Sequence, residues 1–327
     1  MTTVSPTPEV TAETTRKIEF LRNSIKQVLI GQDDVIDQVL IALLCRGHVL
    51  LEGLPGLGKT LLVKALASCF SGQFKRIQFT PDLMPADMTG HAVYDMQNNR
   101  FNIRRGPIFT NLLLADEINR SPAKTQAALL EVMQEKQVTI EGKPFPLNPP
   151  FMVLATQNPI EQEGTYPLPE AELDRFLLKV FIDYPSFSDE LTLVRNVTSG
   201  KLSMDSDSFP VTADLSAEDI LKLQAQAEAV ALDDQVLAYA VRLVQATRNT
   251  STLLKGAGPR ASIGLVNAAK AWALINQRNF VLPDDIKQVA LPVMRHRILL
   301  SPESEIEGFS PDQLLKQLIE TTDAPRT

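Results

Sequence analysis

Gly53-Leu54-Pro55-Gly56-Leu57-Gly58-Lys59-Thr60 is the stretch from which the rest of the chain can be read. It has the spacing G-x-x-x-x-G-K-T. An apolar segment, His48-Val49-Leu50-Leu51-Glu52, precedes it, and a helical pattern over Lys59–Phe70 follows it. Strand, glycine-rich turn and helix start are the context in which this spacing cradles phosphate. Glycines let the backbone wrap the phosphate oxygens, and unpaired N–H groups at a helix start attract anions. In such a loop Lys59 reaches the β- and γ-phosphates and Thr60 ligates Mg²⁺. Leu61 closes the nucleotide-binding run. A glycine-rich turn matching by chance is the competing reading, and the flanking elements count against it.

Outward from this loop, strand and helix signals alternate. Strand Phe74–Phe79 follows, then a helical piece near Pro85–Thr89 that breaks at Gly90. Residues 91–105 alternate like a hairpin, with Asn98-Asn99 as the turn. Strand Leu112–Asp116 leads to a helix from about Ser121 to Glu135, with Ser121-Pro122 suited to its N-cap and first position. Val138-Thr139-Ile140 and Pro144–Leu147 flank Gly142 as a second hairpin. Phe151–Thr156 and Leu178–Ile182 bring the strands separated by helices to five, which indicates a parallel sheet with right-handed crossovers. Before the loop, Arg16–Leu29 and Val35–Cys45 carry helical spacing. Residues 1–15 are too polar to offset their ordering entropy and read as a disordered tail. Residues 186–327 have almost no strand signal and predict helices at 187–199, 216–230, 233–249, 260–278, 283–293 and 311–321, with a loop over Ser203–Thr212. The expected division is therefore a tail (1–15), an α/β domain (16–185) and an all-α domain (186–327).

Composition excludes several classes. The 327 residues carry 32 Lys+Arg against 39 Asp+Glu, so the net charge of −7 disfavours wholesale binding to nucleic acid or anionic lipid. Cys45 and Cys69 form no metal pattern and no disulfide framework, which fits a reducing, cytoplasmic setting. No apolar run approaches the roughly 18 residues needed to span a bilayer, and no signal peptide is evident at the N-terminus.

Further residues carry chemistry. Leu112–Asp116 is an apolar strand ending in Asp116-Glu117. Asp116 is placed to act on Mg²⁺ through the metal's water shell, and Glu117 to polarise an attacking water. Asn158 lies just past the strand Phe151–Thr156, where an amide could orient that water or touch the γ-phosphate. A turn-forming Asn before Pro is the plainer reading. Arg175 and Arg260 each stand where a guanidinium could stabilise charge on a transferring phosphoryl group. Surface ion pairing is the alternative for both, and Arg120 and Lys124 share that ambiguity. Arg100, Arg104 and Arg105 form a basic cluster on the first hairpin. His48, His91 and His296 are scattered and suggest no metal site, and Trp272 reads as core.

These motifs in this order resemble the AAA+ ATPases, specifically the MoxR family. The similarity runs nearly continuously from about Gly31 to Arg297, and is most specific at 53–60, 115–142, 151–177 and 258–262. The resemblance implies an α/β P-loop NTPase (AAA+) core with a five-stranded parallel sheet, in which the fourth strand lies between the first and third. It implies a hairpin at 91–105 inserted within helix 2, a hairpin at 136–148 before sensor 1, and an all-α lid. Asn158 matches sensor 1, Arg175 the arginine finger that acts on a neighbouring subunit's nucleotide, and Arg260 sensor 2. Gly31 and Gln32 match the segment that holds adenine. Gly258 departs from the Ser expected more often there.

By resemblance, the chain is expected to bind ATP and Mg²⁺ and hydrolyse ATP. It is expected to form a ring, six subunits being favoured, and to remodel or chaperone a client protein with a von Willebrand factor A-domain partner. A nucleic-acid-remodelling AAA+ motor is the alternative, kept open by Arg100, Arg104 and Arg105 but opposed by the acidic balance. A non-hydrolysing switch has no need of Glu117, Arg175 and Arg260. A small-molecule kinase leaves the helical domain and the hairpins without a role.

Overall fold

Five segments pair as one parallel sheet: β1 (Val49–Gly53), β2 (Phe74–Gln78), β5 (Leu112–Asp116), β8 (Met152–Gln157) and β9 (Leu178–Ile182). Their order in space is β2-β5-β8-β1-β9. Strand β8 thus lies between β1 and β5, with Leu50 opposite Ala155 and Leu114 opposite Leu154, as the resemblance implied. The structure is a computed structural model and describes residues 10–54, 56–158, 164–200 and 214–325.

The three inner strands β1, β5 and β8 are largely apolar because both sheet faces are covered there, whereas the edge strand β2 carries Lys75, Arg76 and Gln78. Alternate residues point to opposite faces. Val49, Leu51, Leu112, Leu114, Met152 and Leu154 join one core. Leu50, Leu113, Ala115, Val153 and Ala155 join the other. The first core lies under α1 (Ala12–Lys26), α2 (Asp33–Leu44) and α3 (Lys59–Cys69) and continues into the C-terminal helices. The second lies under α4 (Pro85–Thr89), α5 (Ala123–Glu135) and two hairpins. Those hairpins are β3 (Gly90–Asp95) with β4 (Arg100–Arg105), and β6 (Gln137–Ile140) with β7 (Lys143–Pro146). Both turn where the sequence indicated. Asn99 takes a positive φ of 49° in the first, and Glu141-Gly142 take φ of 48° and 73° in the second.

A short helix, α6 (Glu170–Leu173), precedes β9. The C-terminal part comprises α7 (Phe187–Thr198), α8 (Ala217–Glu228), α9 (Asp234–Ala246), β10 (Leu253–Lys255), α10 (Pro259–Ile275), α11 (Pro283–Met294), β11 (Leu299–Leu300), α12 (Pro302–Ile306) and α13 (Pro311–Thr321). The expected boundary near residue 185 falls between β9 and α7. Among the described residues no helix is long and apolar enough to cross a membrane.

Four expectations need correction. The helix α1 begins at Ala12, inside the segment expected to be a disordered tail. Thr11 caps it by accepting from the Thr14 N–H at 3.2 Å, and the buried Thr14 donates to Gln226 on α8 at 3.0 Å. The rest of that tail, residues 1–9, and the expected loop 203–212 lie outside the described residues. The helix α5 starts at Ala123, not Ser121, because Ser121 ends a 3-10 turn over Ile118–Arg120 and Pro122 takes the cap position. The C-terminal domain is not purely helical, since Leu253 and Leu300 pair across a small antiparallel ribbon, β10 with β11. The helix α12 was not anticipated, since its five residues are too few to show a period.

Candidate functional site

The strand β1 runs into the glycine loop at the carboxyl edge of the sheet. At Gly53 a Cβ would sit 2.4 Å from the Ile182 carbonyl oxygen of β9, so only glycine lets the two strands close. Gly56 and Gly58 take φ of 84° and 82°, the left-handed region that disfavours side chains. Pro55 lies outside the described residues. Lys59 and Thr60 open the 11-residue helix α3, whose free N–H groups favour an anion at this end. The Lys59 ammonium bonds back to the Gly53 carbonyl oxygen. Burial lowers its pKa from the ordinary value, against the opposing charges of Asp116, Glu117 and Glu52.

Opposite the loop, β5 ends in Asp116 and Glu117. Glu117 adopts φ 56°, ψ 51°, a left-handed conformation for a residue with a side chain. Such a backbone costs of order 1–3 kcal/mol and persists where its surroundings fix it. Here Thr156 of β8 fixes it, accepting the Glu117 N–H at 2.8 Å while its hydroxyl donates to Asp116 Oδ1 at 2.6 Å. The carboxylate of Glu117 accepts from Gln78 Nε2 at 2.8 Å and from Arg120 at 3.3 Å. Asp116 Oδ2 accepts from Arg76 at 2.5 and 3.1 Å.

These groups share one cleft of about 350 Å³. Gly56, Gly58, Lys59, Thr60 and Leu61 form one wall. Asp116, Glu117, Thr156 and the buried Asn158 form the other, and Arg76 and Gln78 close the β2 edge. Sequence reading missed Arg76, Gln78 and Thr156. Their signal is positional: Gln78 is opposite Asp116 in the sheet, and Thr156 is the penultimate residue of the strand beside β5. Neither neighbour is evident until the strand order is known.

The remaining candidates are not among the residues that line this cleft. Gly31 and Gln32 line a second hollow of about 580 Å³ with Asp183, Tyr184 and Asp189. Gln32 donates to the Asp183 carbonyl oxygen at 2.7 Å, and a Cβ at Gly31 would meet Asp189 at 2.7 Å. Leu29, just before them, touches the glycine loop, because a Cβ at Gly58 would meet it at 2.8 Å. Arg175 follows α6, and its side chain makes no hydrogen bond or ion pair among the described residues. Arg260 at the start of α10 faces Asp174 Oδ2 at 3.6 Å. Gly258 is the N-cap of α10 and gives it no side-chain cap. Lys124 lies in the first turn of α5, and Arg120 bonds Glu117 within the same chain.

A parallel sheet ordered in this way, with a glycine-loop lysine facing an Asp-Glu strand end and a helical domain behind, defines an AAA+ ATPase. Comparison with known proteins agrees. Residues 48–178 match the model of the ATPase family associated with various cellular activities, and residues 245–318 match the AAA lid domain. The chain is 42% identical to Chaperone MoxR1 of Mycobacterium tuberculosis, over 92% of this chain and 81% of that one. It is 30% identical to Protein MoxR of Methylorubrum extorquens, over 92% and 93% of the two chains. A solved structure from Cytophaga hutchinsonii, assigned as an ATPase, superposes with a TM-score of 0.88 at 43% identity, covering 96% of each chain. The chain belongs to the MoxR family of AAA+ ATPases.

Proposed function

We propose that this protein is a Mg²⁺-dependent, ring-forming ATPase that remodels or chaperones a client protein in the cytoplasm, together with a von Willebrand factor A-domain partner. The observation that carries the ATPase reading is the convergence of Lys59, Thr60, Asp116, Glu117 and Asn158 on one cleft. The relative named as a chaperone, 42% identical over nearly the whole chain, supports the remodelling role.

In this reading the loop from Gly53 to Thr60 and the start of α3 hold the phosphates, with Lys59 turning from Gly53 to the β- and γ-phosphates. The oxygen donors of Thr60 and Asp116 line the same cleft, a hard-ligand set that suits Mg²⁺. Bound there, Mg²⁺ supplies charge neutralisation for the phosphates. Glu117 takes a proton from the attacking water as its oxygen bonds the γ-phosphorus and the bond to the β-phosphate oxygen breaks. Asn158 orients that water or the γ-phosphate. Arg260 serves from the lid, Arg175 serves the neighbouring subunit, and Gly31-Gln32 lie along the path to the adenine. The α/β domain spans 16–185 and the lid 186–327 in this division of labour.

The test is ATP binding and turnover in Lys59→Ala, with calorimetry for binding and phosphate release for turnover. Loss of both is expected. Wild-type ATP affinity in this variant defeats the assignment of the loop.

A further inference from the structure

Arg295, His296 and Arg297 follow directly on α11 and form the seam between the lid and the segment before β9. Arg297 is the most deeply set, with its side chain 5% exposed. Its Nε donates to Asp174 Oδ1 at 2.7 Å. Its two terminal nitrogens donate to the carbonyl oxygens of Phe176 at 2.7 Å, Leu177 at 3.2 Å and Asp174 at 3.3 Å, and to that of Val293 on α11. His296 Nε2 adds a bond to the Phe176 carbonyl oxygen at 3.0 Å. The backbone of 174–177 is therefore wrapped around one guanidinium, and Arg175 is the one residue of that turn to which Arg297 makes no bond. The Asp174 carboxylate that pairs with Arg297 also faces Arg260 through its other oxygen.

We propose that Arg297 is a positioning residue for Arg175. It fixes the turn 174–177 to the lid so that the Arg175 guanidinium is presented outward, and Asp174, shared with Arg260, ties that turn to the lid arginine. This rests on the reading of Arg175 as a finger acting on the neighbouring subunit.

The physical argument is one of uncompensated charge. A buried guanidinium is costly unless its donors are paired. Four of its five acceptors belong to the turn, so any shift of the turn strands donors in an apolar setting. The turn therefore moves with the lid, not separately from it. Lysine cannot replace this function. It is a compact point donor, whereas the acceptors here lie on different sides of a planar fork.

A purely architectural Arg297 would also pin the lid. Its loss would then lower stability and disturb nucleotide binding within its own subunit. A positioning role has a different signature, because the defect appears in the neighbour's turnover and vanishes when Arg175 is already gone.

The experiment uses the full chain in its assembled state. Arg297→Lys is compared with Arg175→Ala and with the double variant, measuring ATP affinity by calorimetry together with KM and kcat. The expected result for Arg297→Lys is a kcat lowered by about tenfold or more, with KM and ATP affinity within about twofold; this is part of the roughly 10³–10⁵ that an arginine finger supplies. The double variant should be no slower than Arg175→Ala alone, since the two act as one unit. Mixing with Lys59→Ala subunits should restore turnover to Arg297→Lys and to Arg175→Ala alike, because the Lys59→Ala subunit contributes an intact turn to an intact loop. Multiplied losses in the double variant, wild-type kcat in Arg297→Lys, or recovery on mixing for Arg175→Ala but not for Arg297→Lys overturns the positioning role and leaves the finger standing. No recovery for Arg175→Ala itself overturns the finger and this proposal with it. If Arg297→Lys fails to fold, Asp174→Asn takes its place. It keeps the turn's size, removes the charge that pairs with Arg297, and should show the same split between kcat and affinity; unchanged kcat there overturns the proposal.

Discussion

The hydroxyl of Thr156 donates to Asp116 Oδ1 at 2.6 Å, from one strand of the sheet to the next. The same oxygen accepts the backbone N–H of Glu117. One hydroxyl thus orients the carboxylate proposed for Mg²⁺ and holds the left-handed backbone that aims the proposed base. Thr156→Val keeps the shape and removes both bonds. Hydrogen bonds to charged groups contribute about 1.5–3 kcal/mol, so urea unfolding should show a loss of that order. Turnover should fall by tenfold or more, roughly the factor that 1.4 kcal/mol represents, while Thr156→Ser should stay near wild type. Equal turnover in all three proteins would remove Thr156 from the site.

Glu117→Gln should bind ATP and scarcely hydrolyse it. The amide keeps the size and still meets Gln78 and Arg120, but it cannot accept a proton from water as a carboxylate does. General-base catalysis typically contributes about 10²–10⁴-fold, and a loss in that range is expected in single-turnover phosphate release. Nucleotide-bound protein should accumulate. Wild-type turnover would reject Glu117 as the base.

His48 predicts how stability responds to acid. It is buried at the start of β1, where its Nδ1 accepts the Val153 N–H at 2.9 Å and its Nε2 lies 3.2 Å from the Met133 carbonyl oxygen. Those partners require the neutral ring with its proton on Nε2. Burial pushes the pKa down to about 4 from 6.5. Between those values the unfolded chain binds a proton that the folded chain does not. Stability is therefore fully present above about pH 6.5, is lost as pH falls towards 4, and levels off below, by on the order of 3 kcal/mol. Burial shifts His296 in the same direction, so His48→Gln should remove only part of the slope in urea unfolding between pH 7 and pH 4.5. Identical slopes in variant and wild type would refute the assignment.

The sheet and the glycine loop were legible because each announces itself locally. Gly56 and Gly58 are needed where φ is positive, and an apolar run ending in Asp116-Glu117 is a buried strand with a wet end. The helical domain was legible for a similar reason, as the residues buried on α9 and α10 recur at helical spacing. What stayed hidden depends on contacts distant in sequence. Arg76 and Gln78 look like ordinary polar residues of an edge strand until β2 is placed beside β5. Arg297 looks like a surface arginine until the turn at 174–177 is folded around it. The true start of α1 depended on Thr14 finding Gln226, more than two hundred residues away.

The first hairpin gives the prediction about partners. Its register places Tyr94 opposite Phe101 and Ala92 opposite Ile103. Ile103 packs on the second core, and the Arg105 guanidinium lies over the Phe109 ring at 4.9 Å. Arg105 is thus turned to its own domain. By the period of two, Arg100 and Arg104 share the opposite face of β4. At the tip, the Tyr94 and Phe101 rings are 5.1 Å apart, and Phe101 is 70% exposed. The face that carries Arg100 and Arg104, opposite the aromatic pair, suits an acidic protein surface. Arg100→Glu with Arg104→Glu should leave basal ATPase near wild type, because neither residue lines the cleft between Lys59 and Glu117. Binding to an acidic partner should weaken, and more at low salt, where attraction between exposed charges is least screened. The measurement is a pull-down and an ATPase assay on the same double variant. Lost ATPase with unchanged partner binding would assign the hairpin to ring assembly. Loss of a DNA-binding activity that the wild type shows at physiological salt would move the protein to the nucleic-acid motors.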